Sequence, residues 1–381
     1  MDRTMTAEEA LLVEEPLAAL RQEVREFVAE QLAQGRFEPA VNSWMTGFSR
    51  EFAREVGRRG WIGMTWPVEY GGHGRTAAER FVVMEELLAA GAPVSAYWAG
   101  DRQVGPALLR NGTEEQKRRF LPGLASGEIL FCLGLSEADS GSDLASVRTA
   151  ATKQADGSWT ISGAKLWTSG AHHKDFMLTL CRSLPGSSRQ DGLSQFIVDL
   201  HAPGVTIRPV YLSNGSHHFN EVILEDVRVE GDMLLGVEHG GWSQVTAELA
   251  DERSGPERYM STVALIKAFA ESSDEDVADR IAVTGSLASQ LWAMRTLSQD
   301  VVASVHQGKR PSLLAATAKD IGTTFEQESV EMIRQVLRRP PATGSRLQVL
   351  LDEALNHSPG FTIRGGTTQV LRSIIAKQVG M

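Results

Sequence analysis

The sequence predicts an α+β protein in which a helical bundle, a β-rich domain and a second helical domain follow one another along the chain. Apolar residues recur at steps of three and four up to about residue 128 and again beyond about residue 236, which is typical of amphipathic helices. Between these stretches, short β-branched runs are separated by Gly, Asn, Asp and Pro, which indicates strands and turns. Because 381 residues exceed the roughly 250–300 that one hydrophobic core supports, we expect domains at 1–128, 129–235 and 236–381.

Four helices are predicted in the first domain from their apolar spacing and their end signals. The first is expected to begin at Pro16, a residue favoured in a first turn, and to end at Gly35. The others are expected to begin at Ser49, to cover Ala77–Ala89, and to run from the capping box Thr113–Gln116 to a stop at Pro122.

The middle and last domains differ clearly in hydrophobic period. The predicted strands lie at Trp159–Ser162, Gln195–Leu200, Val205–Val210 and Glu221–Leu224. The predicted C-terminal helices cover Val277–Val305, Leu313–Leu337 and Val370–Val379.

Charge and cysteine content exclude several classes of protein. The formal net charge is −10 and no block of Lys or Arg occurs, so we expect neither a nucleic-acid partner nor a membrane partner. Cys132 and Cys181 lack the spacing of a disulfide framework or a zinc site. The pairs His172–His173 and His217–His218 have no third ligand nearby in sequence, so we expect no metal and place them in loops or on the surface. Since no apolar run reaches eighteen residues and Glu interrupts the N-terminus, we expect a cytoplasmic protein.

Three segments combine Gly with hydroxyl, acidic or aromatic residues: Leu135–Asp143, Gly163–Ser169 and Gly365–Arg372. The first, taken alone, is more typical of an ordinary turn. Together and in this order, they resemble the acyl-CoA dehydrogenase family of flavoproteins over essentially the whole chain. Leu-Ser-Glu-x-x-x-Gly-Ser-Asp looks like the family's Thr-Glu-Pro-x-x-Gly-Ser-Asp loop, and Gly-Ala-Lys-Leu-Trp-Thr-Ser looks like its Gly-x-Lys-x-Trp-Ile-Thr run. Gly-Gly-Thr-Thr-Gln-Val-Leu-Arg is similar to its Glu-Gly-Thr-x-x-Ile-x-Arg segment.

The resemblance implies a β-barrel-like middle domain and a C-terminal four-helix bundle, with FAD at their junction and an acyl-CoA thioester against the flavin. The residues that the resemblance places at the flavin or at the CoA arm are Leu133, Leu135, Ser136, Gly141, Ser142, Trp167 and Ser169. Trp167 would cover the flavin ring, Ser169 would bond it, and the Ser136 hydroxyl would replace the family's usual Thr. Ser142 would also contact the substrate, and Gly141 would let the CoA arm approach closely.

A buried carboxylate suits the removal of a proton next to a thioester, because burial raises its pKa toward working pH. Most relatives place this Glu directly before the C-terminal Gly-Thr pair, where this chain has Gly365. The isovaleryl-CoA and long-chain types take it from the first helix of the C-terminal domain, and the matching position is Glu252, followed by Arg253. The resemblance therefore implies Glu252 as the base, Arg253 as a substrate contact, and a backbone N–H of Gly365 that bonds the thioester carbonyl.

Helical spacing supports the choice of Glu252. On a helix, Trp242, Val245 and Leu249 form one apolar stripe. Glu252 falls at the edge of this stripe, whereas Glu248 lies further round the helix. An unselected Glu is far more often an ordinary solvated residue, so the positional match carries most of the weight.

The match is weakest on the adenine side of the predicted FAD. The family's Arg-x-x-Phe-Gly and Gln-x-x-Gly-Gly segments are replaced by Ser272–Asp276 and Gln335–Pro341. Arg280, Arg338 and Arg339 are untested substitutes that are more typical of surface charges. Thr367 and Gln369 are better candidates for FAD, because the start of a helix presents free N–H groups to phosphate.

The function that the resemblance implies is FAD-dependent α,β-dehydrogenation of an acyl-CoA, with an electron-transferring flavoprotein as acceptor. By the resemblance, the protein would be a dimer or a tetramer of one chain, or a hetero-oligomer with a related subunit. Two alternatives stay open. The chain could be a non-catalytic subunit of a hetero-oligomeric dehydrogenase, or a flavin oxidase or monooxygenase on the same fold. The acyl group is not predicted.

Overall fold

A computed structural model describes the backbone of residues 7–252, 255–273, 277–306 and 312–380, and the side chains of 16–248, 255–273, 277–304 and 312–380. The statements below refer to these residues. The helical, β-rich and helical segments follow one another in the predicted order. None of the described helices combines the length and the apolar content that crossing a membrane would require.

Seven α-helices precede the strands. They are α1 (Ala7–Ala33), α2 (Ser43–Thr46), α3 (Arg50–Arg58), α4 (Ala77–Ala89), α5 (Ser95–Ala99), α6 (Gly105–Asn111) and α7 (Glu114–Ala125), with a π-helical turn at Gly100–Val104 between α5 and α6. Helix α4 has the predicted bounds, and Ser49 caps α3 by accepting a hydrogen bond from the Phe52 N–H. Thr113 and Gln116 form the predicted capping box of α7.

Two predicted helix ends are wrong, and both involve proline. Helix α1 begins at Ala7 and runs through Pro16, and α7 runs through Pro122 to Ala125. A proline removes one backbone N–H donor, but the residues of the following turn keep their N–H groups. In α7, for example, Ser126 donates its N–H to the Pro122 carbonyl at 3.0 Å. In α7 the buried Leu124 lies beyond the proline, so packing favours continuing the helix.

Eight strands form one hydrogen-bonded sheet. They are β1 (Phe131–Gly134), β2 (Ala150–Lys153), β3 (Trp159–Ser169), β4 (Phe176–Arg182), β5 (Leu193–Asp199), β6 (Val205–Tyr211), β7 (His217–Val229) and β8 (Leu234–Leu235). The order is β6-β7-β3-β2-β4-β5-β8, with β1 parallel to β4. The predicted strands are found, but β3 and β7 are much longer than predicted, at 11 and 13 residues.

Six helices follow the sheet. They are α8 (Gly241–Glu252), α9 (Val263–Glu271), α10 (Val277–His306), α11 (Ser312–Val336), α12 (Arg346–Phe361) and α13 (Thr368–Gln378). Helix α11 is central among them, because it packs against α10, α12 and α13. The predicted helices correspond closely to α10, α11 and α13.

Three clusters of buried apolar side chains hold these elements together. The largest joins α1–α5 to α9–α12, so the N-terminal helices and the C-terminal helices share one core. A second joins α6 and α7 to the sheet, and a small third cluster joins α8 to the loop after β1. Helix α8 therefore lies against the β-rich part of the chain, while the later helices pack on the N-terminal bundle.

Candidate active site

The loop after β1 and the end of β3 are directly bonded to each other. The pairing of β3 with β7 shifts register between Lys165 and Thr168, which marks a β-bulge. Within the bulge, Leu166 donates its N–H to the Ser136 carbonyl at 2.9 Å. Bulges redirect side chains and are common beside active sites. The structure thus brings together two of the three sequence segments.

A buried ion pair braces this junction. The Lys165 ammonium lies 2.8 Å from a carboxylate oxygen of Glu137, and it also donates to the Leu135 carbonyl at 3.2 Å. Glu137 accepts three further hydrogen bonds, from the N–H groups of Arg148 and Thr149 and from the Thr149 hydroxyl. Burial alone would raise the pKa of Glu137, but Lys165 and these donors lower it overall. The carboxylate therefore has a structural role and is not a free base.

Trp167 is the most unusual residue of the junction. Its backbone has a φ of 63°, which is strained for a non-glycine residue, and 51% of its surface is exposed. The indole contacts the Phe219 ring edge-on, with 5.6 Å between the ring centroids. Strain of this kind persists where the surrounding structure imposes it, and it is often found at ligand sites. The bulge thus presents a flat apolar ring to solvent.

Two serine hydroxyl groups belong to the same junction. Ser136 and Ser169 are half-buried, and their hydroxyls take part in none of the hydrogen bonds found among the described residues. Leu133, in β1, packs against the core that α6 and α7 share with the sheet, and Leu135 packs against the small cluster at α8.

The tip of the loop is open. Gly141 and Ser142 are exposed, and a Cβ added to Gly141 would meet no atom within 4 Å. The surrounding chain therefore leaves room for a side chain at Gly141. A cleft of about 180 Å³ lies beside the loop, and its lining includes Glu137, Asp139, Glu221 and Arg148. Its acidic lining does not suit a phosphate.

Helix α8 is docked on the loop. Val245 is fully buried and packs with Leu144 and Val147, while Leu135 and Trp242 lie at the margin of the same cluster. Glu252 is the last residue of α8. Its side chain and all of Arg253 lie outside the described residues, so the predicted base and substrate contact remain predictions.

The buried face of α8 differs from the predicted one. Glu248 was placed further round the helix, but its exposure is only 1%, and Gln195 on β5 donates to its carboxylate at 3.3 Å. The apolar stripe is therefore not the only face covered, because Gln195 of β5 bonds Glu248 and the buried Gln244 donates to the Leu235 carbonyl of β8. Glu248 is a carboxylate that sequence reasoning missed. Glu252 lies one turn after it.

The third sequence segment, Gly365–Arg372, is hydrogen-bonded to other elements than the first two segments. Gly365 and Gly366 have φ values of 64° and 100°, and Thr367 caps α13 by accepting from the Val370 N–H. Gln369 is exposed in the first turn. Within the part of the chain described, the side-chain hydrogen bonds that join this segment to other elements go to α11, and Arg364 directly before it bonds Asn42 of the N-terminal bundle. The structure does not bond it to the loop at 135–143.

Two of the three arginines on the predicted adenine side are engaged locally. Arg338 pairs with Asp279 at 2.8 Å and Arg280 donates to the Ser272 carbonyl, while Arg339 is exposed. These contacts agree with ordinary surface roles. A link to FAD stays a prediction for all three.

The histidine pairs form a cluster that the sequence did not indicate. His172 stacks on His217 with 3.9 Å between ring centroids, and both contact the Asn220 side-chain oxygen. The expected surface position is wrong for His218, which is 9% exposed. Burial, with neighbouring cationic groups, lowers the pKa of His172 to about 4 and that of His218 to about 3. These rings are therefore neutral at physiological pH.

Known proteins resemble the whole of this arrangement. The families described as "Acyl-CoA dehydrogenase, N-terminal domain" and "Acyl-CoA dehydrogenase, middle domain" match residues 14–128 and 132–227. The chain is 34% identical over 387 residues to acyl-CoA dehydrogenase IpdE1 of Mycobacterium tuberculosis, covering 94% of this chain and 96% of IpdE1. It is 33% identical over 342 residues to acyl-CoA dehydrogenase FadE29 of the same organism, covering 86% and 87%.

Solved structures agree with this comparison. The structure named "Tcur3481-Tcur3483 steroid ACAD" superposes with a TM-score of 0.84 at 29% identity, over 100% of this chain and 99% of the other. The ChsE4-ChsE5 complex from Mycobacterium tuberculosis superposes with a TM-score of 0.80 at 28% identity, over 100% and 99%. The chain belongs to the acyl-CoA dehydrogenase family, whose members are flavoprotein oxidoreductases of lipid metabolism.

Membership implies a flavin, and the residues around Trp167 fit its ring. An exposed indole can cover one face of a planar ring, as aromatic pairs do at separations of a few ångströms. The unused hydroxyls of Ser136 and Ser169 can donate to the polar edge of such a ring. The donor set and the apolar surface thus match a group that is both flat and rich in acceptors.

Proposed function

We propose that the chain catalyses FAD-dependent α,β-dehydrogenation of an acyl-CoA thioester. The observation that carries this proposal is the strained, exposed Trp167 in a bulge that the Leu166 N–H bonds to the Ser136 carbonyl of the loop. The hydroxyls of Ser136 and Ser169 in the same junction have no hydrogen bond among the described residues. The flavin ring would lie against this surface. The CoA arm would cross the open loop tip at Gly141 and Ser142, and Thr367 and Gln369 would contact the FAD phosphates from the start of α13.

Proton removal is assigned to Glu252. The substrate's α proton would pass to the Glu252 carboxylate, while bound flavin would supply the acceptor for the β hydride and leave an α,β double bond. The Gly365 N–H would donate to the thioester carbonyl, where negative charge develops as the proton leaves. Such a donor is commonly worth about 3–4 kcal/mol in the transition state. Arg253 would contact the substrate.

Replacement of single carboxylates tests whether Glu252 or Glu248, one turn earlier on α8, is the base. Glu252→Gln should slow anaerobic reduction of bound flavin by at least about a hundredfold, because a positioned base commonly contributes that much. Glu238→Gln, a partly exposed carboxylate paired with Lys153, is the matched control and should reduce at the wild-type rate. If Glu248→Gln stops the reaction and Glu252→Gln does not, Glu248 is the base.

The acyl-CoA probes for this test are butanoyl-CoA, octanoyl-CoA, isobutanoyl-CoA and a steroid-ring acyl-CoA. The ring-bearing probe is included because a similar structure is named a steroid ACAD. Electron-transferring flavoprotein is the proposed acceptor. Peroxide formation from oxygen at the rate of substrate consumption would instead identify a flavin oxidase.

We also propose that the site is completed in an oligomer. The two similar structures above are named as pairs of chains, Tcur3481-Tcur3483 and ChsE4-ChsE5. Helix α10 exposes large apolar side chains, among them Ile281 at 65% and Trp292 at 68%, and such surface is typical of an interface. A homodimer or a tetramer and a hetero-oligomer both satisfy this observation.

Purification of the chain alone distinguishes the two assemblies. Static light scattering gives its mass, and the visible spectrum shows whether it carries flavin. A homo-oligomer with bound flavin supports an autonomous enzyme. A flavin-free chain that acquires flavin only with a related subunit supports the subunit alternative.

A further inference from the structure

Helix α11 carries a row of polar side chains on its buried face. Lys319, Thr323, Glu326 and Ser329 are each fully buried, and their spacing of four, three and three places them on one side of a helix. Buried charged and polar groups lower stability unless they are paired. The contacts that they make should therefore explain why they are there.

The row joins two chain segments that are far apart in sequence. At one end, the Lys319 ammonium donates to the Gly366 carbonyl at 2.7 Å. At the other end, Glu326 accepts from the Ser261 N–H at 2.8 Å, and the Ser329 and Thr262 hydroxyls lie 2.9 Å apart. The first contact holds the turn before α13. The others hold the segment that follows α8.

Arg364, directly before the turn, is tied to the same row. Its guanidinium donates to Glu326 at 3.0 Å, to the Ser261 hydroxyl at 2.8 Å, and to the side chain of Asn42. It also lies over the Trp44 ring at 4.5 Å from the centroid. One side chain thus links α11, the segment after α8 and the N-terminal bundle.

The turn between these anchors consists of two glycines with positive φ. Glycine has more backbone freedom than any other residue, so Gly365 and Gly366 do not fix their own orientation. Lys319 holds the Gly366 carbonyl on one side of the turn. On the other side, the chain is held by the side chain of Arg364. The direction of the Gly365 N–H is consequently set by side chains that do not belong to the turn.

We propose that Lys319 and Arg364 are positioning residues that orient the Gly365 N–H toward the substrate carbonyl. The inference rests on the function proposed above for Gly365. Donors that stabilise a transition state must be held in place before the reaction, and a displacement of about 1 Å can lower a rate by about a hundredfold.

Hydrogen exchange of the backbone measures how firmly the turn is held, without substrate and without activity. We compare wild type with Lys319→Met and Arg364→Lys in the purified protein, and follow the peptide that covers residues 362–370 by mass spectrometry. Lys keeps the positive charge beside Glu326 but has no planar fork with which to bond three acceptors, so this variant should fold. Both variants should exchange the turn amides at least about tenfold faster, because they lose an anchor.

Two control variants separate the anchors from general damage to α11. Thr323→Val changes a buried residue of the same row that bonds the Lys319 carbonyl within the helix. Arg334→Gln changes an exposed α11 residue that pairs with Glu331. Among the described residues neither side chain has a hydrogen bond to the turn, so both variants should exchange the 362–370 peptide at the wild-type rate.

Turnover then separates this inference from the proposed function. With the panel acyl-CoA that reduces wild type fastest, kcat should fall by about tenfold to a hundredfold in Arg364→Lys and KM should change little, because the lost interaction forms in the transition state. Unchanged exchange overturns the inference, whatever the activity. Faster exchange with unchanged kcat also overturns it and counts against the role of Gly365. Loss of activity in Glu252→Gln would still support the dehydrogenase function in both cases.

Discussion

Replacing Lys165 with Met should destabilise the protein far more than replacing a lysine whose ion pair has the same length but is exposed to solvent. Lys165 is completely buried, and the Glu137 side chain beside it is 11% exposed. Removal of one member of a buried ion pair typically costs about 3–5 kcal/mol, because the other charge stays buried. Since Glu137 keeps the donors at Arg148 and Thr149, we expect a loss at the lower limit, about 3 kcal/mol.

The matched control is Lys153→Met. Lys153 and Glu238 have the same nitrogen–oxygen distance, 2.8 Å, but their side chains are 54% and 34% exposed. An exposed pair of this kind typically contributes less than about 1 kcal/mol. Urea denaturation at pH 7 gives both changes in the free energy of unfolding. If Lys165→Met costs no more than Lys153→Met, the argument from burial is refuted.

The pH dependence of the difference in the free energy of unfolding between wild type and Lys165→Met is a second check. In the folded protein the pKa of Glu137 is below its ordinary value of 4.5. The stability that comes from this shift is therefore complete above pH 4.5 and is lost as the pH falls toward the folded pKa. The difference between wild type and Lys165→Met should narrow in acid.

Two further predictions concern other parts of the sheet. The folded pKa of His218 is about 3 against 6.5 for an ordinary histidine, so below pH 6.5 the unfolded chain binds a proton that the folded chain refuses. The free energy of unfolding should therefore fall by at most about 1.4 kcal/mol per pH unit below pH 6.5. In His218→Gln the urea midpoint should depend less on pH between pH 6.5 and 4 than in wild type. Parallel curves for the two proteins would contradict the lowered pKa of His218. Gly163 has a φ of 151°, and an added Cβ would lie 2.7 Å from the Thr149 backbone, so Gly163→Ala should cost about 1–3 kcal/mol. Gly141→Ala, whose Cβ would meet nothing, should keep the wild-type thermal midpoint, and equal losses in both variants would contradict the steric argument.

Local signals in the sequence predicted local structure well. The bounds of α4 and the capping box of α7 follow from residues within one turn of each helix end, and the structure has both. The two proline ends failed because a proline removes a single hydrogen bond, which a long helix or a buried following turn tolerates. The extent of β3 and β7 was also missed, since their pairing partners are distant in sequence and the Lys165–Thr168 bulge interrupts the alternation.

In the candidate site, too, some parts could be predicted from the sequence and others could not. The family resemblance located the loop at 135–143 and the segment at 163–169, whereas the bulge between Lys165 and Thr168 was not predicted. The polar row of α11 was invisible, since Lys319 and Glu326 look like solvated helix charges until the covering elements are known. Glu248 was misplaced for the same reason. The apolar stripe of α8 suggested one buried face, and only the position of β5 shows that the adjacent polar face is covered as well.

The parts of the candidate site are held mainly by polar anchors and not by apolar packing alone. Lys165 fixes the loop, Lys319 fixes the Gly366 carbonyl, and the Arg364 side chain anchors the chain directly before Gly365. Apolar side chains of similar volume could often give equal or greater stability at such positions. A hydrogen bond differs in being directional, so it fixes the rotation of a carbonyl or a loop, which apolar contact constrains less. The reaction proposed above needs donors held to within a fraction of an ångström, and directional hydrogen bonds from buried charged residues can hold the chain in that way.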